Sequence, residues 1–317
     1  MRVETVQHIH PPPAQTVTVK QMGNITEVRY CTVGRGCPIM KLDKDTYINL
    51  AAGTGEVLEF QHHEKRTDDF ASLSQSLVRL RDLINTNVTD AQNCKWLTLT
   101  YAENMTDTIR LYEDFKQFNK RLRYWLNTND KPRHEYIAVA EPQLRGAWHF
   151  HCFLIFPTAA PFIHYDTIKK AWGQGAINVK ALDNINNVGA YLSPYLTDLS
   201  LPDALADGFH GVNTKKGLRV VDDTDSAGNK ASKGYVKGAR LALYPAGFRL
   251  YRASRGIKRP TVFECSEEEA MQLVGAAPLT YEKTIRLCDE ADGNTINVIN
   301  YRQYNAVAKR RGSEPLE

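Results

Sequence analysis

The sequence has no apolar run of the kind that crosses a membrane. No stretch approaches the ~18 consecutive apolar residues of a transmembrane helix, and the first residues do not follow the basic and then apolar order of a secretion signal. We therefore expect a cytoplasmic protein that has no membrane partner. The Gly-x-x-x-x-Gly-Lys-Ser/Thr loop of P-loop ATPases is also absent, which excludes that class of nucleotide-driven motor.

Neither charge nor cysteine dominates the composition. The chain has 40 Lys and Arg against 36 Asp and Glu, a net charge of +4, which permits nucleic-acid binding without demonstrating it. The six cysteines include no Cys-x-x-Cys pair, so a zinc knuckle is excluded. Cys31 and Cys37 flank a glycine-rich turn and leave open a zinc or disulfide clip, although free thiols are favoured in a reducing compartment.

Residues 148–156 form the most informative stretch, Trp-His-Phe-His-Cys-Phe-Leu-Ile-Phe. Its apolar and aromatic content, with no Gly or Pro before Pro157, predicts a buried strand. Residues two apart on a strand point to the same face, so His149 and His151 project side by side. An unpaired buried polar group costs about 1–3 kcal/mol, and a shared metal ion is one way to satisfy both imidazoles. Hydrogen-bonded histidines without a metal are the alternative.

The residues before this stretch bring a carboxylate close to the histidines. Residues 135–141 predict a strand, and residues 142–147 predict a short turn into the histidine strand. If Glu141 pairs with His149, its carboxylate shares the face of both imidazoles; if it pairs with Trp148, it lies on the opposite face. Two imidazoles and a carboxylate on one face suit a divalent cation with open positions. A solvated hairpin end is the alternative for Glu141.

A strand and a long helix precede this hairpin. Residues 95–101 alternate as a strand does, and apolar residues recur every three or four positions from about 107 to 126, which predicts an amphipathic helix. Lys116, Lys120 and Arg123 share another face of that helix. This basic face is either solvated or, beside a nuclease site, a track for phosphates.

Farther along the chain, a helical pattern carries two tyrosines. Apolar residues recur at helical spacing over residues 185–199, and Tyr191 and Tyr195 lie four apart just off that stripe. Both phenols would therefore emerge on one flank of a helix. Pro194 removes a backbone donor, so the helix kinks or restarts there. Tyrosines that only cover the edge of the apolar stripe are the alternative.

Three motifs in a fixed order carry a family resemblance. Trp-Leu-Thr-Leu-Thr-Tyr comes first, His-Phe-His preceded by Glu141 second, and Gly-Ala-Tyr-Leu-Ser-Pro-Tyr-Leu third. Over residues 72–199 the chain resembles the HUH endonucleases, and most closely the rolling-circle replication initiators (Rep proteins) of bacterial plasmids, mobile elements and single-stranded DNA phages. Many relatives have a lysine between the tyrosines or three residues after the nucleophile, where this chain has Pro194 and Asp198.

The resemblance implies a fold and a chemistry. The fold is α+β, with a five-stranded antiparallel sheet flanked by helices, the histidines on a central strand and the tyrosine helix across them. His149 and His151 would be metal ligands with Glu141 as the third, holding Mg²⁺ or Mn²⁺. Tyr191 and Tyr195 would be the nucleophiles that cleave one DNA strand and rejoin it through a 5′-phosphotyrosine bond. The partners would be single-stranded or origin DNA and a host helicase and polymerase.

We divide the chain into three expected segments. Residues 1–70 form an N-terminal β extension, residues 71–200 the endonuclease domain and residues 201–317 a mixed C-terminal accessory region. Within the last segment, residues 240–260 interleave aromatic side chains with Arg and Lys, which suits single-stranded nucleic acid; an amphipathic hairpin with a basic outer face is equally consistent. We assign DNA contacts to Lys116, Lys120, Arg123 and Arg145.

The functional hypothesis is a rolling-circle replication initiator that nicks and rejoins one strand of origin DNA at a metal site. The same residues would serve a transposase or a mobilisation relaxase. A DNA-binding protein without catalytic activity, in which the histidines and tyrosines are structural, is the alternative from another class.

Overall fold

A computed structural model describes residues 2–7, 9–33, 39–43, 45–49, 54–59, 70–143, 145–180, 182, 199–200, 218–224, 230–236, 240, 243–245, 247–289 and 293–308. The chain divides into two units. One combines residues 1–63 with residues 260–317, and the other consists of residues 64–259.

The described residues form seventeen strands and four α-helices. The strands are β1 (Arg2–Val6), β2 (Thr16–Met22), β3 (Ile25–Cys31), β4 (Ile39–Lys41), β5 (Thr46–Asn49), β6 (Val57–Glu59), β7 (Cys94–Thr100), β8 (Glu135–Pro142), β9 (Trp148–Ile155), β10 (Ile177–Lys180), β11 (Leu199–Ser200), β12 (Leu218–Thr224), β13 (Lys230–Val236), β14 (Tyr251–Ala253), β15 (Thr261–Ser266), β16 (Leu279–Cys288) and β17 (Thr295–Asn305). The helices are α1 (Phe70–Asn87), α2 (Thr108–Thr128), α3 (Tyr165–Trp172) and α4 (Glu267–Val274). The expected α+β class is confirmed.

A five-stranded antiparallel sheet organises the unit formed by residues 64–259. Its strand order is β10-β7-β9-β8-β14, and every neighbouring pair is antiparallel. The histidine strand β9 is therefore the central strand. The edge strand β14 comes from beyond residue 200, outside the segment in which the sequence analysis places the endonuclease domain. The boundaries of that domain stay a prediction.

The two faces of this sheet pack against different helices. Phe150, Cys152 and Leu154 of β9 lie in one apolar cluster with the buried residues of α2 and α3. Phe153 lies in a second cluster, on the opposite face, with Leu80 of α1. Because side chains alternate along a strand, His149 and His151 belong to this second face, which we call the histidine face.

Helix α2 follows from a local start signal and a regular apolar stripe. The Asp107 side chain accepts hydrogen bonds from the backbone N–H groups of Ile109 and Arg110, which satisfies donors that the first turn leaves open. Leu111, Phe118 and other apolar side chains of the stripe are fully buried, and each such burial stabilises the fold by about 1.5–3 kcal/mol. The helix predicted over residues 107–126 is confirmed.

The other unit joins both ends of the chain in a six-stranded sheet. Its strand order is β1-β16-β17-β3-β2-β15. Helix α4 covers one face, where Ala270 and Val274 pack against Val17, Val19 and Val28. Strands β4, β5 and β6 form a separate three-stranded sheet, and so do β11, β13 and β12 in the unit formed by residues 64–259. None of the described helices combines the length and the apolar character that a membrane crossing needs.

Candidate metal centre

The register of the β8–β9 hairpin places the carboxylate of Glu141 beside the two imidazoles. Glu141 is directly opposite His149, which is the register that puts all three side chains on one face. The connecting turn contains Gly146 with φ +84°, a backbone conformation that favours glycine. The N–H of Gly146 donates to the carbonyl of Gln143 at 2.8 Å, so the turn closes between Pro142 and Trp148 and fixes this register.

The three side chains converge on one point. Oε2 of Glu141 lies 2.8 Å from Nε2 of His149 and 2.5 Å from Nε2 of His151. The imidazole rings are 4.8 Å apart and nearly perpendicular, at 79°. The Glu141 side chain is only 4% exposed, and the two imidazoles are 12% and 16% exposed. The cluster is therefore largely shielded from solvent but reachable from one side.

A second set of contacts orients His151. The Oγ1 atom of Thr98 on β7 lies 3.3 Å from Nδ1 of His151, and the Trp96 ring meets the imidazole edge-on, with centroids 6.0 Å apart. When Nδ1 carries the proton it donates to Thr98, and the lone pair of Nε2 then faces Glu141. Metal-binding histidines commonly have a hydrogen-bond partner of this kind on the second nitrogen.

Arg240 is a part of the site that the sequence analysis did not identify. Its guanidinium contacts Oε1 of Glu141 and donates to the carbonyl of Pro142 at 3.2 Å. Nearby, the buried Tyr244 donates from its hydroxyl to the carbonyl of Ala140 at 3.2 Å. These contacts attach the segment around residue 240 to the end of β8. The sequence showed this segment only as part of the basic and aromatic run, with no local signal that it reaches Glu141.

Opposing effects set the charge of Glu141. Burial, the largest single effect, raises its pKa, but the charges of His151 and His149 and their contacts with the carboxylate together lower the pKa by more. The net result is a pKa well below the ordinary value for Glu. Glu141 is therefore ionised at neutral pH, which is the state that a metal ligand requires.

The donor set fits a divalent cation. One ligand atom from each of Glu141, His149 and His151 lies within 4.8 Å of the others. Two ligands at right angles, each ~2.1 Å from an ion, are ~3 Å apart, close to the separations of 2.5 and 2.8 Å seen here. Nε2 of His149 is also buried, and no described residue gives it an aligned hydrogen bond. A cation at this point would satisfy that atom.

The predicted DNA-binding residues do not gather around the cluster. Lys116, Lys120 and Arg123 lie on α2, which packs against the face of the sheet opposite to the imidazoles. Lys116 is paired with Glu113 at 3.2 Å. Arg145 lies in the β8–β9 turn, is exposed, and donates from Nε to the side chain of Gln143 at 3.1 Å. DNA binding by these four residues stays a prediction.

Tyr191, Tyr195 and Cys37 lie outside the described residues. The described residue nearest before the two tyrosines is Leu182, which is 2% exposed and packs in the apolar cluster of the histidine face. The chain therefore leaves the sheet on the histidine face just before the tyrosine segment. The five described cysteines are free thiols.

The comparison with protein families agrees with this part of the chain. Residues 94–200 match a family model described as replication-associated protein, of the ORF2 type. The matched segment is about a third of the 317 residues and contains the three cluster residues and both tyrosines. The match supports a role in replication initiation and implies DNA binding. Searches of curated proteins and of solved structures find no match.

Proposed function

We propose that this protein is a rolling-circle replication initiator that nicks and rejoins one DNA strand through a tyrosine. The observation that carries the proposal is the buried Glu141–His149–His151 cluster on the central strand of the sheet, inside the segment that matches a replication-associated family. A lone pair of histidines would support little, but three converging ligand atoms in this segment are hard to explain as a packing accident.

The residues of the site have separate roles in this chemistry. His149 and His151 present neutral nitrogen ligands, Glu141 supplies one carboxylate oxygen, and Thr98 holds the ring of His151 in the tautomer that the site needs. Bound there, a divalent ion would polarise the oxygens of the scissile phosphate and offset developing negative charge. The contact between Arg240 and Glu141 balances the carboxylate, so the positive charge of the ion is left for the reacting groups.

The nucleophile would be Tyr191 or Tyr195. The phenol, with an ordinary pKa near 10, loses its proton and its oxygen forms a bond to phosphorus, while the bond from phosphorus to the 3′ oxygen breaks. The 3′ oxygen takes up a proton and leaves as a hydroxyl. One phosphate ester replaces another, so the strand can be rejoined by the reverse reaction without an external energy source.

The position of Leu182 supports this role for the tyrosines. Leu182 packs on the histidine face, and Tyr191 follows it by nine residues. A fully extended chain spans at most ~3.3–3.6 Å per residue, or ~30 Å over this length. Either phenol is therefore within reach of the cluster without crossing to the other face of the sheet.

A covalent-adduct assay tests the proposal. The protein is incubated with a pool of labelled single-stranded oligonucleotides and Mn²⁺ or Mg²⁺, and the products are separated on a denaturing gel. We expect a protein-linked DNA band that requires the metal and disappears in His149→Ala and His151→Ala. Tyr191→Phe or Tyr195→Phe should reduce the band, and the double variant should lose it.

Two outcomes would contradict the proposal. An adduct that persists in the double Tyr→Phe variant would show that another residue attacks the DNA. DNA binding without any cleavage, under all metal conditions and with DNA from a cognate origin, would favour the DNA-binding protein without catalytic activity.

A further inference from the structure

One cross-strand row of the sheet connects the metal cluster to an aromatic residue at the sheet edge. Tyr251 of β14 is directly opposite Val139 of β8, which in turn is directly opposite His151 of β9. Directly opposite side chains share a face, so Tyr251 belongs to the histidine face. Two strand spacings of ~4.8 Å separate it from His151, a distance of about 10 Å.

A group of exposed cations surrounds this edge. It consists of Arg79 on α1 and of Arg255, Lys258 and Arg259, which follow β14; we call these four residues the edge patch. All four side chains are exposed. None of them forms an ion pair with a described residue, whereas the nearby Arg81 is paired with Asp82 at 3.0 Å. The edge patch therefore offers charge that the described part of the protein does not neutralise.

The edge patch is held in place by backbone and apolar contacts. The Asn87 side chain on α1 donates to the carbonyl of Lys258 at 2.8 Å and accepts from its N–H at 2.9 Å. Tyr251 and Ile257 pack against the apolar cluster that contains Leu80 of α1. Burial raises the pKa of Tyr251, and the positive charges of Arg79 and Arg259 oppose that rise, as expected if both guanidiniums lie close to the phenol.

We infer that the edge patch and Tyr251 bind the single DNA strand next to the cleavage site. The inference rests on the proposed function for the class of ligand and adds the path of the strand. An unneutralised cationic surface with an aromatic ring is the combination by which proteins hold single strands without reading their sequence. At the ~3.4 Å spacing per phosphate of a stacked strand, the edge patch lies about three nucleotides from the metal cluster.

This path differs from the one suggested by the basic face of α2. Lys116 and Lys120 lie on the opposite face of the sheet from the cluster, so a strand gripped there would have to pass around the sheet to reach His151. The edge patch shares the face of the cluster. The shorter path requires no such detour.

Equilibrium binding separates the two paths. A labelled single-stranded oligonucleotide is titrated with protein in EDTA, which prevents cleavage, and anisotropy gives the affinity at several salt concentrations. We expect Arg79→Gln/Arg259→Gln to weaken binding roughly tenfold at low salt and to reduce the slope of log K against log[salt] by about 1.4, or 0.7 for each phosphate that the protein no longer neutralises. The matched control is Lys169→Gln/Lys170→Gln, which removes two exposed charges from α3 on the opposite face.

The result that would overturn the inference is equal affinity and slope for Arg79→Gln/Arg259→Gln and the unaltered protein, with unchanged melting temperatures as proof of folding. An equal decrease in the α3 control would also overturn it, because net charge alone would then explain the effect. Loss of binding in Lys116→Gln/Lys120→Gln instead would favour the α2 path. If the strand binds the edge patch but no covalent adduct forms with metal, the proposed function fails and the binding surface stands.

Discussion

Replacing Arg240 with Gln tests whether this residue balances the charge of the metal ligand Glu141. The Glu141 side chain is 4% exposed and Arg240 is 15% exposed, so the pair is largely buried. Removing one partner of a buried ion pair typically costs about 3–5 kcal/mol, because the other charge is left without compensation. The two imidazoles remain beside Glu141, so we expect the lower end of this range in metal-free protein.

This free energy translates into a measurable shift in melting temperature. Residues 64–259 form one unit, and for a domain of about that size 1 kcal/mol corresponds to about 2–4 °C. In EDTA, Arg240→Gln should therefore melt about 6–12 °C below the unaltered protein in differential scanning calorimetry. Arg249→Gln, an exposed arginine of the same segment, is the matched control and should melt within about 1 °C of the unaltered protein.

Metal should reverse part of this destabilisation. A divalent cation at the cluster supplies the charge that Arg240 no longer provides, and it no longer faces a guanidinium roughly 6 Å away. Even at the dielectric constant of water, that repulsion is about 1.4 kcal/mol, or tenfold in affinity. Isothermal titration should therefore show Arg240→Gln binding Mn²⁺ at least about tenfold more tightly than the unaltered protein.

The double variant Glu141→Gln/Arg240→Gln completes the test. With both charges removed, no buried carboxylate is left uncompensated, so it should be less destabilised in EDTA than Arg240→Gln alone. The reasoning would be refuted if the single and double variants melted at the same temperature. It would also be refuted if Mn²⁺ left the gap between Arg240→Gln and the unaltered protein unchanged.

Two further predictions concern His151 and His134. Thr98→Val removes the partner of His151 Nδ1 and should weaken Mn²⁺ binding about tenfold in isothermal titration, whereas Thr100→Val, on the same strand, should not; equal weakening in both would contradict the orienting role. Burial, aided by the charges of Arg123 and Arg133, lowers the pKa of His134 from 6.5 to about 4. Between these two values only the unfolded chain takes up the proton, so urea unfolding should show stability falling by about 3 kcal/mol as the pH decreases from 6.5 to 4. His134→Gln should remove that part of the slope, and an unchanged slope would contradict the assignment.

Local patterns in the sequence predicted the elements that carry the site. The apolar stripe of α2, the apolar run of β9 and the alternation in β7 each arise from burial of one face, and burial leaves its period in the sequence. The prediction of α3 over Tyr165–Trp172 is likewise confirmed. The segment that would carry the tyrosines lies outside the described residues, so its helix stays a prediction.

Long-range pairing could not be predicted in the same way. The sequence allowed Glu141 to pair with either His149 or Trp148, because both registers keep the strands apolar, and the turn around Gly146 decides between them. Arg240 donates to Pro142 across 98 positions of sequence, and no local pattern encodes such a contact. The same holds for β1 and β16, which pair from opposite ends of the chain.

The most direct test of this account is the position of manganese in crystals soaked with Mn²⁺. Anomalous diffraction at the manganese edge should give one strong peak within about 2.0–2.3 Å of Nε2 of His149, Nε2 of His151 and Oε2 of Glu141. A fully soaked crystal with no peak at these three atoms, or with its strongest peak elsewhere on the protein, would contradict the metal centre on which the proposed chemistry depends.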